Sequence, residues 1–248
     1  FLPIFIGFIL PVLELTYWAF NYKLDFFNQK FISTALNTLY LSLAAAFLCS
    51  LLALIINFSI RYKTNSLLKF LSSFLTVGYA VPGLILAIGV MRLLTFLDRN
   101  FTIEMFNLVL TGSLFGLMMA YIIKSYALSS STFDAGFERI SPRIDDVARS
   151  LKTSGWNLLL KVHVPLLKTS FLTSMLLVVA EVIKELPATL ILRPFNFDTL
   201  AVSTYIYAAE ERMYDAAAPS ISIVLVGLIP IIILTRLIRT SRPADRGN

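Results

Sequence analysis

Apolar runs of about twenty to thirty residues alternate with short polar breaks along this chain, and one of the breaks is long. The runs fall at 2–20, 33–60, 67–97, 103–129, 166–186 and 217–238. Each is long enough, at about 1.5 Å per helical residue, to approach or exceed a hydrocarbon core of roughly 30 Å. They predict an all-α fold: a polytopic membrane bundle of about six transmembrane helices forming a single domain, residues 1–248. Runs near thirty residues must tilt or bend, and Val81-Pro82-Gly83 predicts a kink inside the third.

The long break, about 130–165, has a pattern of its own. Ile144, Val147, Ala148 and Leu151 stand at i, i+3, i+4 and i+7, which predicts a helix with one narrow apolar stripe and a charged face. Ser141 is placed to cap it and Pro142 to open it, and Asp145 is expected to pair with Arg149 one turn on. Ser154-Gly155 then breaks the chain. A second short apolar piece, 156–164, is expected to end at Pro165 just before the next span. Two short helices joined by a turn would form a knob on the membrane surface.

Composition agrees with a membrane protein: 57% of residues are hydrophobic and 15% charged, with a mean hydropathy of +0.79, where soluble domains average about 25% charged. A net charge of +6 does not imply nucleic acid here, because the basic residues gather mostly on one side of the spans, with only Lys23, Lys30, Arg92, Arg99, Arg193 and Arg212 on the other. The 61–69 loop, the long loop with Arg139, Arg143, Arg149, Lys152, Lys161 and Lys168, and the C-terminal tail share that side. The positive-inside tendency therefore puts the long loop and both termini in the cytoplasm. The stretch after Arg239 reads as a short disordered end. Cys49 and His163 are the single cysteine and histidine, too few for a metal cluster, and Cys49 reads as a small buried side chain. No phosphate-cradling G-x-x-x-x-G-K-[ST] loop and no hydrolase motif is present. Any ATP use belongs to a partner, and no cofactor is expected in this chain.

Charges inside a span cost several kcal/mol unless paired or facing water, so Glu181, Lys184 and Glu185 stand out. Glu181 lies roughly 24 Å along a helix from Pro165. Either Lys184 pairs with Glu181 and neutralises the group, or the two carboxylates, one turn apart, line a route or gate, where oxygen ligands would suit a hard trivalent cation. Pro187 is expected to stop this helix. Tyr205, Tyr207, Glu210 and Glu211 follow as interfacial anchors or contacts for a delivering protein. Lys124 and Tyr126 read as snorkelling residues, and Gly112 and Gly116 as a GxxxG packing pair.

Residues 146–165 (DVARSLKTSGWNLLLKVHVP) resemble the cytoplasmic EAA loop of bacterial ABC importer permeases, whose consensus reads E-A-A, three residues, G, nine residues, I-x-L-P. Asp146, Val147 and Ala148 take the E-A-A places, Arg149 to Leu151 the spacer, Lys152 the Gly place, and Val162, Val164 and Pro165 the I-x-L-P places. Lys152 replaces a residue the family prefers for tight backbone packing. Residues 184–202 (KELPATLILRPFNFDTLAV) resemble the iron(III)-transport branch, and within them Pro194, Asn196 and Asp198 resemble its re-entrant turn.

The resemblance implies a type I importer permease of the bacterial inner membrane, moving iron(III) from periplasm to cytoplasm without being an enzyme itself. Its implied partners are ATP-binding ABC subunits, a periplasmic solute-binding protein, membrane lipid and a second permease half, fused or homologous. A lone six-helix bundle has nowhere to hide a polar route from lipid, which agrees with a second half. A chain that opens at Phe1 and not at Met would fit the second half of a fused permease. Asp146, Val147, Ala148, Arg149, Leu151, Lys152, Gly155, Val162 and Pro165 are then the ATPase-coupling loop, and Glu181, Lys184, Glu185 and Pro187 the pathway or gate. Thiamine, polyamine and sulfate permeases share the loop and remain alternatives, as do a gradient-driven secondary transporter and a membrane assembly protein.

Overall fold

The computed structural model of the chain describes residues 1–22, 28–63, 66–102 and 109–241, and for 101, 102 and 237–241 the backbone alone. Its helices are α1 (Leu2–Asn21), α2 (Gln29–Tyr62), α3 (Ser66–Thr76), α4 (Gly83–Leu97), α5 (Leu114–Glu138), α6 (Pro142–Ser150), α7 (Gly155–Leu166), α8 (Lys168–Ile183), α9 (Pro187–Leu192), α10 (Leu200–Ala209) and α11 (Met213–Ser241). No strand occurs among the described residues.

Among those residues α1, α2 and Met213–Arg236 of α11 are each long and apolar enough to cross a bilayer as single helices. The other expected spans are modified. The third is broken outright: α3 tightens into a 3-10 turn at Val77–Ala80, and Val81 is extended (φ −75°, ψ 128°) before α4 begins at Gly83. Pro82 is the cause, since its ring drives the preceding residue out of the helical region. The fourth, expected at 103–129, is the helix Leu114–Glu138; 103–108 lie outside the described residues. Gly112 has φ +73° in the turn ahead of that helix, so Gly112 and Gly116 form no shared ridge. Gly116 alone permits a close approach, because a Cβ there would meet Leu94 Cδ1 at 2.5 Å.

The chain bends by 75° between α7 and α8, at the head of the fifth expected span. The last helix runs on through Ser241, and the rest of the expected disordered end, 242–248, lies outside the described residues.

The chain contributes in alternation to two compact units. One comprises Phe1–Ser42, Gly83–Ala120 and Ala180–Ile229. In it α9 packs against α4, with Ala188, Leu192, Leu86 and Ala87 buried, and Tyr214 of α11 receives Trp18 edge-on at 5.5 Å and stacks on Tyr22 at 4.4 Å. Buried Asp98, which the sequence pattern does not mark, fastens the turn before α5 by accepting from the N–H groups of Leu110 (2.9 Å) and Thr111 (2.8 Å) and from Thr111 Oγ1 (2.6 Å).

The other unit comprises Leu43–Pro82, Tyr121–Val179 and Pro230–Asn248, with a core built around Leu54, Phe58, Phe133, Phe137, Leu158 and Leu159. Gly78 lies against α5 so closely that a Cβ would stand 2.5 Å from the Ile123 carbonyl oxygen, so only glycine fits. On α3, Leu67, Phe70 and Phe74 face outward while Ser72 is buried with its hydroxyl 3.3 Å from Tyr126 Oη. Apolar outside and polar inside is the arrangement lipid demands. It also corrects the snorkelling reading of Tyr126, which is buried.

Candidate functional site

The knob between α5 and α8 forms as two short helices. The Ser141 side chain accepts from the Arg143 N–H at 3.4 Å, with Pro142 at the first helical position. At the other end the N–H of Thr153 reaches back to Ala148 O and that of Lys152 to Arg149 O, both at 2.9 Å, the paired closure of a Schellman motif. Such a closure puts its central residue in the left-handed region, and Lys152 has φ +58°. The residue is exposed. Glycine at this place is therefore favoured by backbone conformation and not, as the resemblance suggested, by tight packing. Gly155, at φ +56°, supplies the second left-handed residue of the turn. Lys152→Gly is expected to stabilise the protein by up to about 1 kcal/mol, read as a rise of about 2–4 °C in the thermal midpoint after detergent solubilisation.

A polar clamp holds α6 from behind. Arg61, in the last turn of α2, donates from Nε to Asp145 Oδ2 (2.8 Å), from Nη1 to Phe137 O (2.7 Å) and from Nη2 to Ile140 O (2.9 Å). Its guanidinium also lies 5.8 Å from the Phe137 ring centre. Asp145 Oδ1 is 3.0 Å from His163 Nε2, off the line of a hydrogen bond. His163 is fully buried, with the rings of Phe58 and Phe137 at 5.3 and 5.4 Å. Burial pushes the His163 pKa below its ordinary value; Asp145 opposes that shift and Arg61 adds to it.

The expected Asp145–Arg149 pair does not form. Arg149 lies over the Tyr62 ring at 5.6 Å and 4.0 Å from Asp146. An exposed i,i+4 pair is worth about 0.3–0.5 kcal/mol, whereas the half-buried guanidinium offers Asp145 a charge-assisted bond and closes two carbonyls as well.

With Asp145 and buried Ala148 turned inward, the predicted stripe divides. Ile144, Val147 and Leu151 are exposed, and the Asp146 side chain is 75% exposed beside them. Val162 packs partly buried against the core. Pro165 does not end α7: a widened turn at Leu159–His163 precedes it, and the helix continues to Leu166 before bending at Leu167.

The second group lies in the other unit. Lys184 Nζ is 3.0 Å from Glu181 Oε2. Because α8 ends at Ile183, Glu185 falls beyond the helix. It is buried, and its Oε1 accepts from the Ala188 N–H at 3.2 Å. The two carboxylates therefore do not share one helical face. Pro187 opens α9 instead of closing α8.

The chain after α9 is irregular, with an Arg193–Asp198 ion pair, Asn196 at φ +59°, and Asp198 O accepting from Asn37 Nδ2 at 3.1 Å. An open hollow of about 410 Å³ there is lined by Arg193, Phe195, Asn196 and Asp198. Further on, Tyr207 carries Lys30 Nζ at 6.0 Å and the Arg212 guanidinium at 4.8 Å, and Arg212 also bonds Glu210 and Asp215. Among the described residues no three His, Cys, Asp or Glu side chains gather into a metal-holding group.

Residues 50–243 match the family model of the binding-protein-dependent transport system inner membrane component. The chain belongs to this family. It is 25% identical over 233 residues to the Fe(3+)-transport system permease protein FbpB 2 of Haemophilus influenzae, covering 91% of this permease but only 44% of that protein. It is 27% identical over 221 residues to PhnV of Salmonella typhimurium, whose name assigns it to 2-aminoethylphosphonate transport, covering 88% and 80% of the two chains. In fold it is similar to a chain of a bacterial alginate ABC transporter solved with an alginate-loaded periplasmic protein, with TM-score 0.70, 16% identity, and 99% and 92% of the two chains covered.

In this permease the predicted loop residues thus sort into an outward edge (Asp146, Val147, Arg149, Leu151), an inward contact (Ala148, Val162) and backbone positions (Lys152, Gly155, Pro165). The sequence reading missed the Arg61 clamp and the burial of His163 beside Asp145. The only hint was that the chain's sole histidine stood in the polar loop beside the membrane.

Proposed function

We propose that the chain is one membrane-spanning subunit, or one half, of an ATP-driven importer, with nucleotide hydrolysed by a separate ATP-binding subunit on the cytoplasmic side of α6. A periplasmic solute-binding protein delivers the cargo, and a second permease half, fused or homologous, closes the polar route. One observation carries the reading: α6 is clamped from behind by Arg61 while it turns Ile144, Val147, Leu151 and Asp146 outward, uncovered by any of the described residues. An apolar edge beside an exposed carboxylate fits a groove on a partner. Closure of the ATPase pair pulls α6, and the clamp and α7 pass the shift to α2 and α8. Such transmission requires contacts that differ between two states.

Iron(III) is the proposed cargo, supported by the likeness to FbpB 2 and by residues 184–202. A second reading, an organophosphonate, draws on the fuller coverage of PhnV and on Glu185, whose Oε1 already accepts from Ala188 and so weakens a paired-carboxylate route. Uptake of radiolabelled iron and of 2-aminoethylphosphonate by vesicles holding the complete complex and its binding protein decides between them. ATP-dependent iron uptake supports the first reading, and phosphonate uptake alone replaces it with the second. Solute flux at full rate without the ATPase would end the importer reading altogether. In the same assay Glu181→Gln is expected to cut uptake severalfold while the ATP-binding subunit still binds. Wild-type uptake would leave Glu181 and Lys184 as a self-neutralising pair only.

A further inference from the structure

The second compact unit contains a groove of about 390 Å³ whose lining includes Leu51, Leu54, Phe133, Trp156, Leu160 and Leu172. It is open to the surroundings: Trp156 is 63% exposed and Leu160 58%. Among the described residues no acidic side chain lines it, and Lys168 is the one charged residue that does. Lys168 is the first residue of α8, directly after the 75° bend. A helix α8 that crosses the bilayer therefore leaves α7 lying steeply across it, near the plane where headgroups sit. An exposed tryptophan on α7 suits that depth.

An apolar trough in a bilayer gains little from burial as such, because lipid tails are as apolar as its leucines. Selectivity must come from the charged end, and an ammonium group attracts a phosphate. We propose that this groove holds an acyl chain of an anionic phospholipid whose phosphate rests on Lys168, bracing α7 and with it the turn that carries α6. The site is independent of the cargo and of the ATPase; it requires only that the chain span a membrane.

The test uses the complete transporter in phosphatidylcholine vesicles containing increasing fractions of brominated phosphatidylglycerol or, in a parallel series, brominated phosphatidylcholine. Subtracting the emission of the Trp156→Phe complex isolates the Trp156 signal from every other tryptophan in the assembly. Quenching by brominated phosphatidylglycerol is expected to reach half its limit at a mole fraction about fivefold lower than with brominated phosphatidylcholine. Lys168→Gln should erase that difference and Lys168→Arg should keep it. Arg143→Gln, which removes the same charge from the loop outside the groove, should also keep it.

Coincident quenching curves in the wild-type complex would overturn the proposal. So would an equal loss of preference in Arg143→Gln, which would assign the effect to the general field of the loop. Absence of quenching by either lipid would show that protein covers the groove and would overturn it as well.

Discussion

Replacing Arg61 with methionine is expected to free α6 from the bundle and to cost this permease both stability and coupling. Arg61 and Asp145 are mostly buried, their side chains 18% and 13% exposed. Removing one partner of a buried pair costs about 3–5 kcal/mol, because the remaining charge is left without compensation. The residual exposure reduces this to about 2–4 kcal/mol. Methionine retains an apolar stem beside Phe137, so the loss reports the guanidinium: its bond to Asp145 and its bonds to the carbonyls of Phe137 and Ile140. The thermal midpoint should fall by about 5–12 °C, and ATP-driven uptake should fall with it.

Arg61 is also one of the charges holding the His163 pKa down, so in Arg61→Met the imidazole should take up a proton at higher pH than in the wild type and partly replace the lost cation beside Asp145. Adding Asp145→Leu should restore part of the stability by removing the orphaned carboxylate, without restoring uptake. A midpoint unchanged within the range of an exposed pair, about 0.5 kcal/mol, would show that the clamp does not hold α6.

What was legible in the sequence was what is decided locally. The start of α6 follows from Ser141-Pro142 and its spacing from four apolar positions, and all of this lies within one dozen residues. The clamp was not legible, because Arg61 and Asp145 are 84 residues apart and only the folded unit makes them neighbours. Read locally, Asp145 has Arg149 one turn away, and burial overrules that choice. Glu185 failed for the opposite reason. Its helical spacing from Glu181 was sound, but Pro187 two residues later favours a helix start, and the chain left α8 at Ile183 to provide it. The long apolar run at 67–97 concealed a comparable break, because hydropathy averages over Pro82 while backbone sterics do not.

Lys152 is instructive in another way. The alignment located the right position, but only the dihedral angle gave the reason glycine suits it.

Asp146→Lys is expected to leave the fold intact and abolish coupled transport, which separates it from the Arg61 variant. The Asp146 side chain is 75% exposed, and Arg149 at 4.0 Å is a loose partner, so stability should change by no more than about 0.5 kcal/mol. Insertion into the membrane and the thermal midpoint should match the wild type. On the proposed docking the effect belongs to the partner surface: a reversed charge at the edge formed by Val147 and Leu151 sets like against like if a basic group of the ATP-binding subunit complements Asp146. Such a mismatch is worth about 2–5 kcal/mol at an interface, or a fall of roughly 30- to several thousandfold in affinity.

Uptake by vesicles containing the variant should therefore collapse while any hydrolysis that remains no longer depends on the loaded binding protein. Measured side by side, the two substitutions distinguish a helix that has lost its anchor from one that has lost its contact. The first lowers the midpoint and the uptake together, and the second lowers uptake alone. Coupled uptake at the wild-type rate in Asp146→Lys would mean that the outward edge of α6 is not where the motor takes hold.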